Sequence, residues 1–176
     1  MELTGTEAQV VRRLRRERVA QWSMLAGQLG CSTKTVQRAL AKVGYFCSIN
    51  YNATFVTARE TPRFDPHGLW TYQSVCFSEH GNLPQTLCQL VTQAPAGVTV
   101  EELEQLVGTR VHNHVSRLIR EGQLGRFFQG RKVVYLAADP RQRAAQQQVR
   151  CPLPLPPVPG PDVPAGLDAV TVIHVL

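Results

Sequence analysis

Apolar residues at helical spacing mark two short segments within residues 21–43. They are Leu25, Ala26 and Leu29 in the first segment, and Val36, Ala39, Leu40 and Val43 in the second. Gly30 lies between them and can adopt the left-handed conformation that ends a helix. Ser32 is a favourable N-cap for the helix that follows. The pattern therefore predicts two helices joined by a tight turn.

The second of these helices, residues 32–43, has a polar and basic outer face. That face carries Thr33, Lys34, Gln37, Arg38 and Lys42. A short helix, a glycine turn and a second helix with such a face form the arrangement that reads base edges in the major groove of DNA.

A similar pattern recurs later in the chain. Residues 84–94 predict a helix with Pro84 at its first position. Thr99 and Glu102 form a capping box for the next helix, and Gly108 ends it. A third predicted helix, residues 110–121, has an apolar stripe of Val111, Val115, Leu118 and Ile119.

Each of the two patterns continues into β-prone runs. Residues 124–137 predict a hairpin that turns at Gln129-Gly130, and residues 45–58 predict one around Asn50-Tyr51-Asn52. Before the first pattern, Thr4 and Glu7 form a capping box for another helix. Helix, helix, helix and hairpin is the element order of a winged helix-turn-helix.

The sequence thus predicts an α+β fold with two tandem winged helix-turn-helix units, at residues 1–60 and 84–138. The segment between them, residues 61–83, predicts a turn at Asp65-Pro66-His67-Gly68 and then a strand-like alternation. We expect this strand-rich insert to pair with the run ending in Phe64. Trp70 and Phe77 would then pack between the units. A mobile linker is the alternative, although such linkers rarely contain so many aromatic residues.

The C-terminal part, residues 139–176, predicts a helical extension followed by a proline-rich tail. Residues 139–150 favour a short helix, and residues 151–164 favour extended polyproline II. The last ten residues are largely apolar. Two interpretations stay open for this run: the chain continues beyond it, or it docks on a partner.

Charge is unevenly distributed within a net value of +6. Residues 1–60 contain nine Lys and Arg against four acidic residues, whereas residues 61–139 contain seven of each. We therefore expect the first unit to supply most of the attraction for phosphates. The sequence contains no apolar run long enough to cross a membrane and no visible secretory signal. These features favour a cytoplasmic protein, associated with the nucleoid if the source is prokaryotic.

Motifs of catalysis are missing from the sequence. It contains no phosphate-binding loop, nucleophile elbow, zinc-protease motif or dinucleotide fingerprint. The five cysteines include no CxxC pair, which makes a zinc site built around Cys76 and His80 improbable. We therefore expect neither an enzyme nor a bound metal or cofactor.

Two stretches resemble the winged-helix superfamily. LAGQLGCSTKTVQRAL, residues 25–40, resembles its helix-turn-helix core. RVHNHVSRLIREGQLGR, residues 110–126, and GRKVVYLA, residues 130–137, resemble its recognition helix, closing turn and wing. The tandem layout, with a strand-rich insert that contains Phe77-Ser78, is similar to paired winged-helix proteins that accompany mobile elements in bacteria and archaea.

The resemblance implies which residues face DNA. The first recognition helix would present the polar residues named above, at positions 33, 34, 37, 38 and 42. The second would present Arg110, Asn113, Ser116, Arg117 and Arg120, and the tip of its wing would place Arg131 and Lys132 on phosphates. Gln37 and Asn113 can each form paired hydrogen bonds with adenine, and Arg38 or Arg117 with guanine.

The leading hypothesis is sequence-specific binding of double-stranded DNA. The protein would be a transcriptional regulator or the DNA-recognition subunit of a larger machine. The alternative is a protein-interaction scaffold, because tandem winged helices also dock other proteins. The nearly neutral second unit and the proline-rich tail favour a protein partner, so a mixed role is also open.

Overall fold

The computed structural model describes residues 5–151 and has a mixed α+β fold, which confirms the predicted class. Within these residues the helices are α1 (Gly5–Glu17), α2 (Trp22–Gln28), α3 (Thr33–Val43), α4 (Leu83–Gln93), α5 (Val100–Val107), α6 (His112–Arg120) and α7 (Pro140–Arg150). The strands are β1 (Ala20–Gln21), β2 (Tyr45–Cys47), β3 (Phe55–Ala58), β4 (Leu69–Tyr72), β5 (Val75–Ser78), β6 (Val98–Thr99), β7 (Leu124–Gln129) and β8 (Lys132–Ala137). They form three small antiparallel sheets, ordered β1-β3-β2, β4-β5 and β6-β8-β7.

Helices α1 to α3 pack around a first hydrophobic core with strand β3. Its fully buried members include Val10, Leu14, Leu25, Val36, Leu40 and Val56. The predicted turn between α2 and α3 is confirmed, because Gly30 has a left-handed φ of 59°. The Ser32 hydroxyl accepts a hydrogen bond from the Thr35 amide at 3.2 Å, as expected of an N-cap. The predicted cap by Thr4 lies outside the described residues.

Helices α4 to α6 pack around a second core with the sheet β6-β8-β7. The capping box of Thr99 and Glu102 is confirmed by its two reciprocal hydrogen bonds, and Gly108 ends α5 in a left-handed conformation. The start of α4 differs from the prediction. Asn82 and Gln85 cap this helix, so Pro84 occupies its second position.

Two predicted boundaries in this second part were wrong by one or two residues. Helix α6 begins at His112, so Arg110 lies in the connection before it. The hairpin turns at Gly130-Arg131, because Gln129 and Lys132 form the last pair of the ladder. Two residues are enough to reverse the chain while the strands on both sides stay paired. The sequence alone did not locate this turn.

The prediction for the insert was wrong in its pairing. Residues 69–78 form a hairpin of their own, β4 with β5, which reverses at Gln73-Ser74 with Gln73 at a left-handed φ of 51°. Phe64 pairs with no strand and packs edge-to-face on Phe46 at 5.2 Å. Alternation of side chains is the same in one long strand and in two strands joined by a turn, so the pattern could not separate them. The turn at residues 65–68 is confirmed by the hydrogen bond from Gly68 N to Asp65 O at 2.9 Å.

The β4-β5 hairpin connects the two cores. Asn50, which follows β2, is buried, and its side chain accepts a hydrogen bond from Cys76 N at 3.0 Å and donates one to Ser74 O at 2.8 Å. Ile49 and the hairpin residues Leu69 and Cys76 all pack in the second core. The insert is therefore a packed element with contacts on both sides, and a mobile linker does not describe it.

Helix α7 confirms the predicted extension and packs against the second core. Gln146 is only 2% exposed, and its amide donates to the carbonyl oxygens of Val91 and Ala94, both at 2.8 Å. Its own oxygen accepts from Ala137 N at 2.9 Å. The predicted proline-rich tail lies outside the described residues from position 152 onward. Among the described helices, none is long and apolar enough to cross a membrane.

Candidate nucleic-acid interface

The outer face of α3 is exposed because the opposite face is in the core. Val36, Ala39 and Leu40 are buried at helical spacing, which turns the intervening positions to solvent. The predicted contact residues Thr33, Lys34, Gln37 and Arg38 are all exposed. The structure thus brings two cations and one amide together on one face of a capped helix.

Lys42, the fifth residue predicted on this helix, forms an ion pair with a residue of α1. Its Nζ lies 2.5 Å from Glu7 Oε1, across the contact between α3 and α1. The lysine remains exposed, yet a carboxylate partially neutralises its charge. Lys42 therefore carries less uncompensated positive charge than Lys34 or Arg38.

Helix α6 presents a second polar face. Asn113, Ser116, Arg117 and Arg120 follow a spacing of three, four and seven residues, and all four are exposed. Val115 and Leu118 are buried on the other side of the helix. Arg117 Nε lies 3.6 Å from Glu121 Oε1, an exposed pair that water screens strongly.

Arg110 precedes this helix and is also exposed. The backbone next to it is fixed by Glu104, whose Oε1 accepts a hydrogen bond from Val111 N at 3.0 Å. Arg110 is therefore held near the amino-terminal end of α6 by the connection, and not by the helix itself.

The β7-β8 hairpin carries cations at its tip. Arg131 lies in the turn and Lys132 begins β8, and both are exposed. Phe128 on β7 is 66% exposed, and the guanidinium of Arg126 lies 5.9 Å from its ring centre. The sequence did not identify Phe128 as exposed, because alternation alone does not tell which face of an edge strand meets water.

The connection between β2 and β3 has a different character. Residues 45–58 contain neither lysine nor arginine. Tyr51, Asn52 and Ala53 all have left-handed φ values, between 51° and 57°, which asparagine tolerates but which are unfavourable for Tyr51 and Ala53. Trp22 Nε1 donates to Ala53 O at 3.1 Å and supports this conformation. The first hairpin therefore offers a neutral, hydrogen-bonding tip.

Helix α1 contributes a basic surface. In the sequence its arginines were considered only as part of the positive charge of residues 1–60. Gln9, Arg12, Arg13 and Arg16 line a pocket of about 290 Å³ together with Leu29 of the α2–α3 connection. The signal that could have identified it is helical spacing, because these four positions recur opposite the buried residues Val10, Val11 and Leu14.

The cysteines and histidines do not assemble into a metal centre in the described part of the chain. No group of three or more His, Cys, Asp or Glu side chains within residues 5–151 is arranged to hold an ion. Burial raises the pKa of the Cys76 thiol above its ordinary value, and His80 Nε2 lies 3.2 Å from the His67 carbonyl oxygen.

No protein-family model matches this sequence, and no curated protein is significantly similar to it. The features that point to an interface are therefore the positions, charges and exposure of the residues described above.

Proposed function

We propose that this protein binds double-stranded DNA sequence-specifically through two tandem winged helix-turn-helix units, at residues 1–60 and 84–138. It would act in the cytoplasm, on the nucleoid if the source is prokaryotic, as a transcriptional regulator or as the DNA-recognition subunit of a larger machine such as one that accompanies a mobile element. The observation that carries the proposal is the outer face of α3. A helix and a glycine turn precede it, and Lys34, Gln37 and Arg38 are all exposed on it.

Base recognition is assigned to one helix in each unit. The amide of Gln37 can form paired hydrogen bonds with adenine, and the fork of Arg38 can do so with guanine. In the second unit, Asn113 and Arg117 have the same chemistry on one exposed face of α6. Two such helices in one chain would read two segments of a duplex without a dimer.

Phosphate binding is assigned to the surrounding cations. Arg131 and Lys132 at the tip of the β7-β8 hairpin would contact the backbone beside the segment that α6 reads. The first hairpin lacks such cations, so its tip would contribute hydrogen bonds from residues such as Asn52. The excess of positive charge in residues 1–60 supports a larger electrostatic role for the first unit.

A second function, docking of a protein partner, is favoured by one feature of the second unit. Phe127 and Phe128 line a groove of about 510 Å³ with the α7 residues Ala144, Gln147 and Gln148 and with Cys151. The exposed ring of Phe128, with the partly buried ring of Phe127 beside it, provides the apolar area that protein contacts use. In this mixed arrangement the first unit holds DNA while this groove holds a protein.

The proposal is tested by selecting bound sequences from random duplex DNA at two salt concentrations. The double variant Lys34→Ala/Arg38→Ala should then lose about 2–5 kcal/mol of binding to the selected site, at about 1–3 kcal/mol for each base contact. Arg117→Ala/Arg120→Ala should lose a similar amount if α6 also lies in a groove. Affinities are measured by fluorescence anisotropy with the full chain.

A matched control removes two other exposed arginines, Arg63 in the insert and Arg141 on α7, and so changes the net charge equally. This control should bind nearly as tightly as the unmodified protein. The absence of binding to any duplex at low salt would refute the proposed function. An unchanged affinity in the Lys34/Arg38 variant would refute the role of α3.

A further inference from the structure

A stripe of arginines runs along α1 on the side away from the first core. Gln9, Arg12, Arg13 and Arg16 recur at intervals of three, four and seven residues, which places them on one helix face. Arg12 and Arg16 are exposed, whereas Val10 and Leu14 on the other side are fully buried. The helix is anchored by its apolar face, so the stripe is held in a fixed direction.

The arginines next to the two exposed members of the stripe are paired with carboxylates. Arg13 Nε pairs with Glu17 Oε1 at 2.8 Å, and Arg15 on the adjacent face pairs with Glu60. Among the residues that the structure describes, neither Arg12 nor Arg16 has a hydrogen-bond or ion-pair partner. Their guanidinium groups are thus available to an external anion.

The position of the stripe relative to α3 follows from contacts at both ends of that helix. Lys42, in the last turn of α3, pairs with Glu7 in the first turn of α1. At the other end, Leu29 lies three residues before Ser32, the N-cap of α3, and it lines the pocket with Arg12 and Arg16. The two helices therefore run in opposite directions, and the arginines lie near the amino-terminal end of α3.

That end of α3 carries Thr33, Lys34 and the first turn of the proposed reading face. In helix-turn-helix complexes, the amino-terminal residues of the recognition helix contact base edges. Groups beside that end consequently face the sugar–phosphate strand at the border of the groove. Arg12 and Arg16 are four residues apart, or about 6 Å along the helix axis, so both can contact phosphates of one strand.

We propose that Arg12 and Arg16 form a phosphate clamp, in which each guanidinium binds a backbone phosphate beside the groove that α3 enters. The inference rests on the proposed function and adds a surface that the recognition helix does not include. Guanidinium groups bind phosphate oxygens in a bidentate manner and carry no information on base sequence. The clamp would therefore increase affinity for every duplex equally, while α3 selects the site.

The test compares Arg12→Ala/Arg16→Ala with Arg12→Lys/Arg16→Lys and with the control Arg63→Ala/Arg141→Ala. Binding of the full chain is measured against the selected site and against random duplex, at several salt concentrations. Each lost phosphate contact should reduce the slope of log affinity against log salt by about 0.9, so the alanine pair should lose about 1.8. Its affinity deficit should accordingly shrink roughly tenfold between about 50 and about 200 mM salt.

The preference for the selected site over random duplex should be unchanged in the alanine pair and reduced in Lys34→Ala/Arg38→Ala. The lysine pair keeps both positive charges, so it should retain the slope of the unmodified protein. This result would show that the slope depends on charge and not on the packing of the arginine side chains. Circular dichroism and thermal melting of every variant check that α1 still folds.

Two results with the alanine pair would overturn the clamp while DNA binding stands. One is an alanine pair with the same salt slope as the control. The other is an alanine pair that loses site preference together with affinity, which would assign the stripe to base recognition. If poly-glutamate displaces random duplex as effectively as a second duplex does, the stripe is a surface for acidic proteins and the clamp is wrong. A chain that binds no duplex at all would refute the proposed function itself.

Discussion

Gln146 shows how one buried amide can hold an entire helix in place. All of its hydrogen-bonding groups have backbone partners. The amide nitrogen donates to the carbonyl oxygens of Val91, within α4, and Ala94, just after α4, and the amide oxygen accepts from Ala137 N at the end of β8. A buried polar side chain is stable only when such partners are present. This residue was not singled out by the sequence, where it lies in a run of three glutamines.

Gln146→Ala should lower the free energy of unfolding by about 2–4 kcal/mol, because it leaves buried backbone groups unpaired and opens a cavity. Gln148→Ala, at an exposed position in the same helix, is the matched control and should change it by less than about 0.5 kcal/mol. Urea unfolding followed by circular dichroism measures both. Equal stability of the two variants would contradict the anchoring role of Gln146.

At the scale of a single element, Gly97 determines how closely the short strand β6 approaches β8. It has a φ of 68°, and a Cβ atom built on it would lie 2.6 Å from Tyr135 O and 2.5 Å from Leu136 Cδ2. Only a residue without a side chain lets the start of β6 approach β8 this closely. Gly130, in the β7-β8 turn, has a similar φ of 61° but open space around it.

Gly97→Ala should therefore destabilise the protein more than Gly130→Ala. The second change costs only left-handed strain, about 1–2 kcal/mol, whereas the first adds a clash with backbone that must shift. Thermal unfolding of the two variants under one buffer condition provides the comparison. A smaller loss of stability in Gly97→Ala would show that β6 can move away from β8 at little cost.

At the scale of the whole molecule, Asn50 connects the two cores. It follows β2 in the chain. Both the nitrogen and the oxygen of its side-chain amide form hydrogen bonds with the β4-β5 hairpin, and its chain neighbour Ile49 packs in the second core. The side chain of Asn50 also lies close to Gly108, at the end of α5, since a Cβ atom on that glycine would be 3.6 Å from its Nδ2. The relative orientation of the two proposed DNA-binding units depends on these contacts.

Asn50→Leu should lower the free energy of unfolding by about 1–3 kcal/mol, because the buried amide of Cys76 loses its acceptor. Amide hydrogen exchange should show α3 and α6 opening together in the unmodified protein and separately in the variant. The exposed substitution Asn113→Leu serves as the control for adding a leucine. If α3 and α6 exchange independently in both proteins, the hairpin does not couple the two cores.

The sequence determined the elements whose signals are local. The α2–α3 turn depends on Gly30 and Ser32, and the start of α5 depends on Thr99 and Glu102. Each of these signals is a hydrogen bond or a backbone preference within a few residues, so composition and spacing suffice to predict it. The exposure of the nine predicted contact residues on α3 and α6 follows from the same logic, because the apolar positions of each helix specify its buried side.

Tertiary structure alone decided which distant elements meet. Alternation in residues 69–78 did not distinguish one strand from a hairpin, and nothing near Gln146 in the sequence indicated its partners, which lie up to 55 residues away. The pairing of Lys42 with Glu7, and with it the position of the α1 stripe beside α3, also depends on how two helices pack. Such contacts arise from burying several apolar faces at once, and the periodicity of a single segment carries no information about its partner.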